Sequence, residues 1–260
     1  MADVKASVQP SKAGDKRARP GPRSRAILAR GLVLSGPTID GGKTLGDRVT
    51  ATLRQLLIAG RLAPGEKLSL RGVADSLGLS MMPVREAVSR LGADGALEVL
   101  PGRAVRVPIL TVAQFGELTR IRLAIEGYAA EEAARNRDET ALSRIAAAER
   151  AFAAAAAREP SDSSAAVAAN RDLHFAVYEA AGMPTMIEII ERLWLKAGPI
   201  LNLDMRDERR RLHGGRAAQA HALLVAAIEA RDAAGARAAL ATDISTAAEH
   251  IVGIGRLKPS

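Results

Sequence analysis

Over 260 residues the chain carries 37 Lys and Arg against 29 Asp and Glu, six aromatic side chains and no cysteine. That length accommodates one large or two modest domains, and an apolar fraction of 48% excludes wholesale disorder. The absence of cysteine excludes disulfides, Cys-ligated zinc, iron–sulfur clusters and thiol catalysis, while so few rings argue against reading single strands by base stacking.

Residues 1–43 mix Pro, Gly, Ser, Lys and Arg without a lasting apolar period and carry nine basic against three acidic side chains. They read as a disordered basic arm. The net charge is +3 over 44–111 and −1 over 112–260, so the excess of positive charge lies in the N-terminal half. A basic end on a neutral body suggests a polyanion partner for the first part; for the arm by itself, a solubilising tail is the alternative. No apolar run approaches the ~18 residues a membrane span requires, and the N-terminus lacks a compact apolar signal segment. The expectation is a soluble, cytoplasmic protein.

Leu45, Val49, Leu53, Leu56 and Leu57 recur at helical spacing, with Gly60 as a stop. After the Pro64-Gly65 turn, a short helix fits Leu70–Leu77, capped by Ser69 and ended at Gly78. Ser80 opens a third helix, Met82–Asp94, with Pro83 tolerated in its first turn. Ala96–Leu100 and Ala104–Val107 then read as strands joined by Pro101-Gly102-Arg103, a hairpin. Three helices followed by a two-stranded hairpin make a winged helix-turn-helix, in which the second helix of the motif enters the major groove. From Thr111 the pattern is helical almost to the end. Breaks are expected near Asn136–Asp138, Glu159–Ser164, Gly182–Pro184, Gly198-Pro199, Gly214-Gly215 and Arg231–Ala233, delimiting six or seven helices. The fold class is mainly α, an N-terminal winged helix-turn-helix with a small β-hairpin wing and a C-terminal all-α bundle. The divisions fall at 1–43 (arm), 44–110 (winged helix), 111–255 (bundle) and 256–260 (tail).

The run Ile58-Ala59-Gly60-Arg61-Leu62-Ala63-Pro64-Gly65-Glu66-Lys67-Leu68, then Val73–Ser80 and Pro83-Val84-Arg85-Glu86-Ala87, with Leu91 and Gly95, resembles the DNA-binding signature of GntR-type bacterial transcription regulators. The resemblance implies a double-stranded DNA surface made by Arg71, Ser80, Met81, Arg85 and Gly102, with Arg103 beside the wing tip available for a phosphate. Family members commonly carry Arg at the position of Met81. Met cannot donate a hydrogen bond, so either fewer polar contacts carry specificity or Met81 meets a thymine methyl. A solvated face, or pairing with Glu86 or Glu98, is the structural alternative for Arg71 and Arg85.

The second half resembles the FCD ligand-binding and dimerisation domain of the FadR subfamily. The resemblance rests on Ile121–Glu126, on Asn170-Arg171-Asp172-Leu173-His174-Phe175 followed by Tyr178–Gly182, and on His221 with Ala227-Ile228, Ala230-Arg231-Asp232 and Ala236. It implies a site for one divalent metal ion (Zn, Ni or Mn) held by Asn170, His174, His221 and Asp243. Asn stands where Asp is common and Asp where a last His is expected, so one carboxylate is kept but on another helix. Asn170 and His174, four apart, share a helix face about one turn, ~6 Å, apart. His250 lies two turns beyond Asp243 and is a poor substitute ligand; His213 belongs to a loop. Arg122 is the candidate grip for an effector carboxylate, with a pair to Glu126 as the alternative. These implications amount to a homodimeric, ligand-responsive regulator, a repressor of a near-palindromic operator tuned by a small organic acid. The alternatives are a DNA-binding dimer with a vestigial, metal-free pocket and, from another class, a metal-dependent hydrolase.

Overall fold

The computed structural model describes residues 44–101, 104–157, 163–207 and 215–259. In its first unit, α1 (Leu45–Ile58), α2 (Leu70–Leu77) and α3 (Met81–Ala93) pack with short strands β1 (Lys67–Leu68), β2 (Glu98–Val99) and β3 (Val105–Arg106). The helices begin and end where the sequence places their signals. Thr44 caps α1 in a reciprocal box with Asp47, Ser69 caps α2 through the Gly72 N–H, and Gly78 closes α2 at φ 64°, a left-handed conformation that glycine adopts without a Cβ penalty. Ser80 is the N-cap of α3 but makes no side-chain capping bond. Its usual acceptor role needs the N–H of the second or third helical residue, and the third is Pro83, which has none.

The sheet has three strands in the order β1-β3-β2, all antiparallel, whereas the sequence reading anticipates only the hairpin. A two-residue strand such as β1 is too short to show a period. Across β2 and β3, Glu98 faces Arg106 and the two side chains form an ion pair. Beneath the sheet Val49, Leu53, Leu57, Leu62, Val73, Val84, Val88, Leu91, Val105 and Val107 form one buried cluster. Gly102 and Arg103 at the wing tip lie outside the described residues, as does the arm 1–43.

The second unit is a bundle of α4 (Val112–Asn136), α5 (Glu139–Ala156), α6 (Ser163–Ala180), α7 (Pro184–Asp207), α8 (Arg216–Glu229) and α9 (Ala233–Gly253). The long α4 and α9 lie against each other, as do α5 and α6, and α8 and α9. Ala129, Ala130, Ala133 and Ala134 give α4 a buried strip of small side chains, and small side chains let helix axes approach closely. Thr111 and Asp138 cap α4 and α5, and Asp232 caps α9, at three of the anticipated boundaries. The break expected at Gly198-Pro199 is absent: α7 runs through it. Residues 197–200 are all buried there, so packing on every side holds a helix that local propensity alone would interrupt. At the far end, the Val112 N–H donates to the Lys258 carbonyl and the Lys258 N–H to the Leu110 carbonyl, so the segment read as a tail pairs with the link between the two units.

The two units meet along α1 and α7. Leu195 of α7 is buried in the core of the winged helix, while its neighbour Trp194 is buried in the core of the bundle. Arg54 of α1 reaches Glu191 of α7 at 3.0 Å and Asp94, the C-cap of α3, at 3.4 Å. Gly198 is needed for the close approach, since a Cβ at this position would stand 2.6 Å from the Leu57 carbonyl oxygen and 2.7 Å from that of Ile58.

Candidate functional sites

On α3 the buried side chains Pro83, Val84, Ala87, Val88 and Leu91 face the core, and Met82, Arg85, Glu86, Ser89 and Arg90 form the exposed stripe. The alternative partners for Arg85 are already engaged. Glu86 pairs with Arg90, which also binds Asp47 of α1, and Glu98 pairs with Arg106. Neither Arg71 nor Arg85 has an ion-pair partner among the described residues, and both are exposed, as is Ser80. Met81, by contrast, is half-buried and packs on the core, and it is Met82 that projects, 72% exposed. The sequence reading selects Met81 from the position of an Arg in the family's signature; in the first helical turn Met82 is the more exposed of the two methionines.

Deep in the bundle, α6, α8 and α9 bring His174, His221 and Asp243 together, all buried, with one potential ligand atom from each lying within 4.8 Å of the others. His174 Nε2 is 3.3 Å from Asp243 Oδ2, and His221 Nε2 is 3.6 Å from Oδ1. Asn170 lies one turn before His174 on α6 and is half-buried. His250 is not in the cluster, and His213 lies outside the described residues.

A second layer of polar groups fixes how His174 presents itself. Arg122 Nε and Nη2 hold Glu126 at 2.7 and 3.0 Å, Tyr178 donates its hydroxyl hydrogen to Glu126 Oε2 at 2.5 Å, and the same hydroxyl oxygen is 2.9 Å from His174 Nδ1. Burial, reinforced by the Glu126 charge, pushes the Tyr178 phenol well above its ordinary pKa, so it stays a donor. With that one hydrogen spent on Glu126, the hydroxyl can only accept from His174, and Nδ1 therefore carries the ring hydrogen. Nε2 is left to face Asp243. Burial disfavours the Asp243 carboxylate, but the charges and contacts of His221 and His174 outweigh it and hold the group well below the usual carboxylate range. An ionised buried carboxylate facing an imidazole lone pair needs a positive charge between them, a proton or a metal ion. Neither ring nitrogen of buried His221 has a hydrogen-bond partner among the described residues. Two imidazoles and a carboxylate so placed fit a divalent transition ion, and the Tyr178–Glu126–Arg122 chain behind His174 is the outer-shell support such ligands use.

Arg122 is thus paired with Glu126 inside the chain. Burial opposes its charge, yet Glu126 raises its pKa further, and its guanidinium carbon lies 5.3 Å from the centre of the Trp194 ring. The carboxylate that this arginine grips is the protein's own. Glu126 is visible in the sequence as an i,i+4 partner. Tyr178 has the same spacing from His174 and could have been found by that signal. Trp194, whose ring centre lies 5.4 Å from that of His174 in a tilted contact, comes from another helix and carries no such mark.

Comparison with known proteins agrees with both halves. The model of the bacterial regulatory proteins of the gntR family matches residues 45–107, and that of the FCD domain matches 117–246. The HTH-type transcriptional regulator McbR of Escherichia coli K12 is 33% identical over 202 residues, covering 75% of this chain and 86% of McbR. The solved E. coli McbR/YncC structure superposes with a TM-score of 0.76 at 30% identity, covering 82% of this chain and 99% of that one. A GntR transcriptional regulator of Rhodococcus sp. RHA1 superposes with a TM-score of 0.66 at 25% identity, over 80% of this chain and 97% of the other. A winged helix whose Arg71 and Arg85 have no ion-pair partner among the described residues, joined to an FCD bundle, places this chain in the GntR family of DNA-binding transcription regulators.

Proposed function

We propose that this regulator is a homodimeric repressor that acts in the cytoplasm on a near-palindromic operator, and that a small organic acid bound next to a divalent metal in the bundle lowers its DNA affinity. Catalysis has no part in this reading. The observation that carries the metal is the convergence of His174, His221 and Asp243 in the buried interior, with neither His221 nitrogen hydrogen-bonded among the described residues. His174, His221 and Asp243 would hold the ion, with Asn170 completing the set from one turn away. A bound ion would neutralise Asp243 and supply Lewis acidity toward a carboxylate. Arg122, committed to Glu126, orders the wall of the site through Tyr178, and the ion, when bound, would be the group that meets the effector carboxylate.

The route from pocket to DNA follows from α7. Trp194 packs on His174 and on Phe175, while the adjoining Leu195 sits in the DNA domain's core and Glu191 holds Arg54, which also holds the end of α3. A ligand that shifts Trp194 moves the support on which α3 stands, which is what differential affinity for two DNA-domain placements requires. Elemental analysis of untagged protein purified without chelators tests the metal. About one ion per chain, lost in His221→Ala, is expected; none after soaking with Zn²⁺, Ni²⁺ or Mn²⁺ would overturn it. A gel-shift titration on the upstream DNA of its own gene tests the operator, with Arg85→Ala expected to abolish specific binding at unchanged circular dichroism.

A further inference from the structure

Among the large apolar side chains on the surface of the described residues, Met82 is the most exposed at 72%. It stands at the N-terminal end of α3, at the head of the stripe formed with Arg85, Glu86 and Ser89, and one turn from Arg85. The C-terminal part of that stripe is held inside the domain, where Arg90 binds both Glu86 and Asp47. Its N-terminal part, Ser80, Met82 and Arg85, makes no such contact. Met82 also adds nothing to the fold, because the core beneath α3 is closed by Met81, Val84, Val88 and Leu91.

The major-groove edges of the four base pairs display hydrogen-bond donors, acceptors and one apolar group, the thymine C5 methyl. A thioether side chain has no donor and only a weak acceptor, so the methyl is the group on that edge that rewards its desolvation. We propose that Met82 is a specificity-determining residue of this regulator, selecting a thymine in each half-site through its methyl group beside the base read by Arg85. This rests on α3 being the groove-reading helix, and it moves apolar readout from Met81, the residue that the sequence reading singles out, to its neighbour.

The test begins with selection of bound duplexes from a randomised DNA pool by the full-length protein. Each thymine of the selected site is then replaced singly by deoxyuridine, which removes the methyl and nothing else. One thymine per half-site is expected to matter, at about fourfold in Kd for one methyl and about fifteenfold when both half-sites are altered. Met82→Ser, which has no methyl to offer, should bind the thymine and deoxyuridine sites equally, whereas Met81→Ala should lower thermal stability and keep the discrimination. Wild-type protein indifferent to every deoxyuridine, or Met82→Ser that still discriminates, would overturn the proposal while leaving α3 as the reading helix. Failure to enrich any sequence would instead remove the reading on which it rests.

Discussion

Replacing Gly198 by alanine sets two known effects against each other. In an exposed helix interior, Gly→Ala stabilises by ~1 kcal/mol because glycine loses more backbone freedom on folding. At Gly198 the new methyl would sit 2.6 Å from the Leu57 carbonyl oxygen, 2.7 Å from that of Ile58 and 2.9 Å from the Ile58 Cα. Side-chain carbons keep about 3.0–3.4 Å from such atoms, so α1 and α7 must part by roughly 0.4–0.8 Å. The atoms in the way are backbone and cannot rotate aside. Overpacking of this kind costs ~1–3 kcal/mol. Gly116 on α4 is the control, because its added methyl would meet nothing nearer than the tip of Arg120 at 3.7 Å. The propensity gain is common to both variants and cancels in their comparison. Gly198→Ala is therefore expected to be less stable than Gly116→Ala by ~1–3 kcal/mol in urea titrations followed by circular dichroism and by the fluorescence of Trp194, the single tryptophan. Parting the helices should also loosen Leu195 from the core of the DNA domain. Equal stability of the two variants would refute the backbone-to-backbone contact between the units.

The buried pair offers a second measurement. Glu126→Ala strands the Arg122 guanidinium and should cost ~3–5 kcal/mol in denaturant titrations, whereas Arg122→Met combined with Glu126→Leu should recover most of the loss; equal damage in the two would refute pairing as the cause. Acid titration addresses the cap of α1. Hydrogen bonds from the Thr44 backbone and from Arg90 lower the Asp47 pKa from 3.8 to about 2. Since this folded-state value is depressed, the contribution is complete above about pH 4 and disappears as pH falls through 2. The stability gap between wild type and Asp47→Asn should therefore narrow over that interval in thermal melts, and a gap constant from pH 6 to 2 would contradict the assignment.

Much of the DNA-binding half was legible in the sequence because its determinants are local. Ser69 and Gly78 bound α2 through their own neighbours, Thr44 and Asp47 cap α1 within four residues, and the 3.6-residue period of Val84, Val88 and Leu91 sets the inner face of α3. Which of two adjacent methionines faces outward was not legible, since a shift of one residue turns a helix by about 100° and only the packed core fixes the phase. In the helical half, pairs four residues apart on one helix, Arg122 with Glu126 and His174 with Tyr178, are written in the spacing. That Tyr178 also reaches Glu126 from another helix, and so decides which nitrogen of His174 faces Asp243, depends on the packing of α4 against α6.

The continuous α7 shows the same division. Local propensity argues for a break at Gly198-Pro199, yet burial on all sides of residues 197–200 holds the helix and turns the glycine into the contact point for α1. Sequence alone determined most of the helices and the winged motif, because these follow from backbone preferences and hydrophobic period over a few residues, and it pointed to His174 and His221 through the resemblance to the FCD domain. Tertiary structure decided the interior charge network, the outward methionine and the joint between pocket and DNA domain. Each of these depends on groups that are distant in the chain and are brought within a few ångströms by the burial of apolar surface, a force that fixes proximity without leaving a local mark on the sequence.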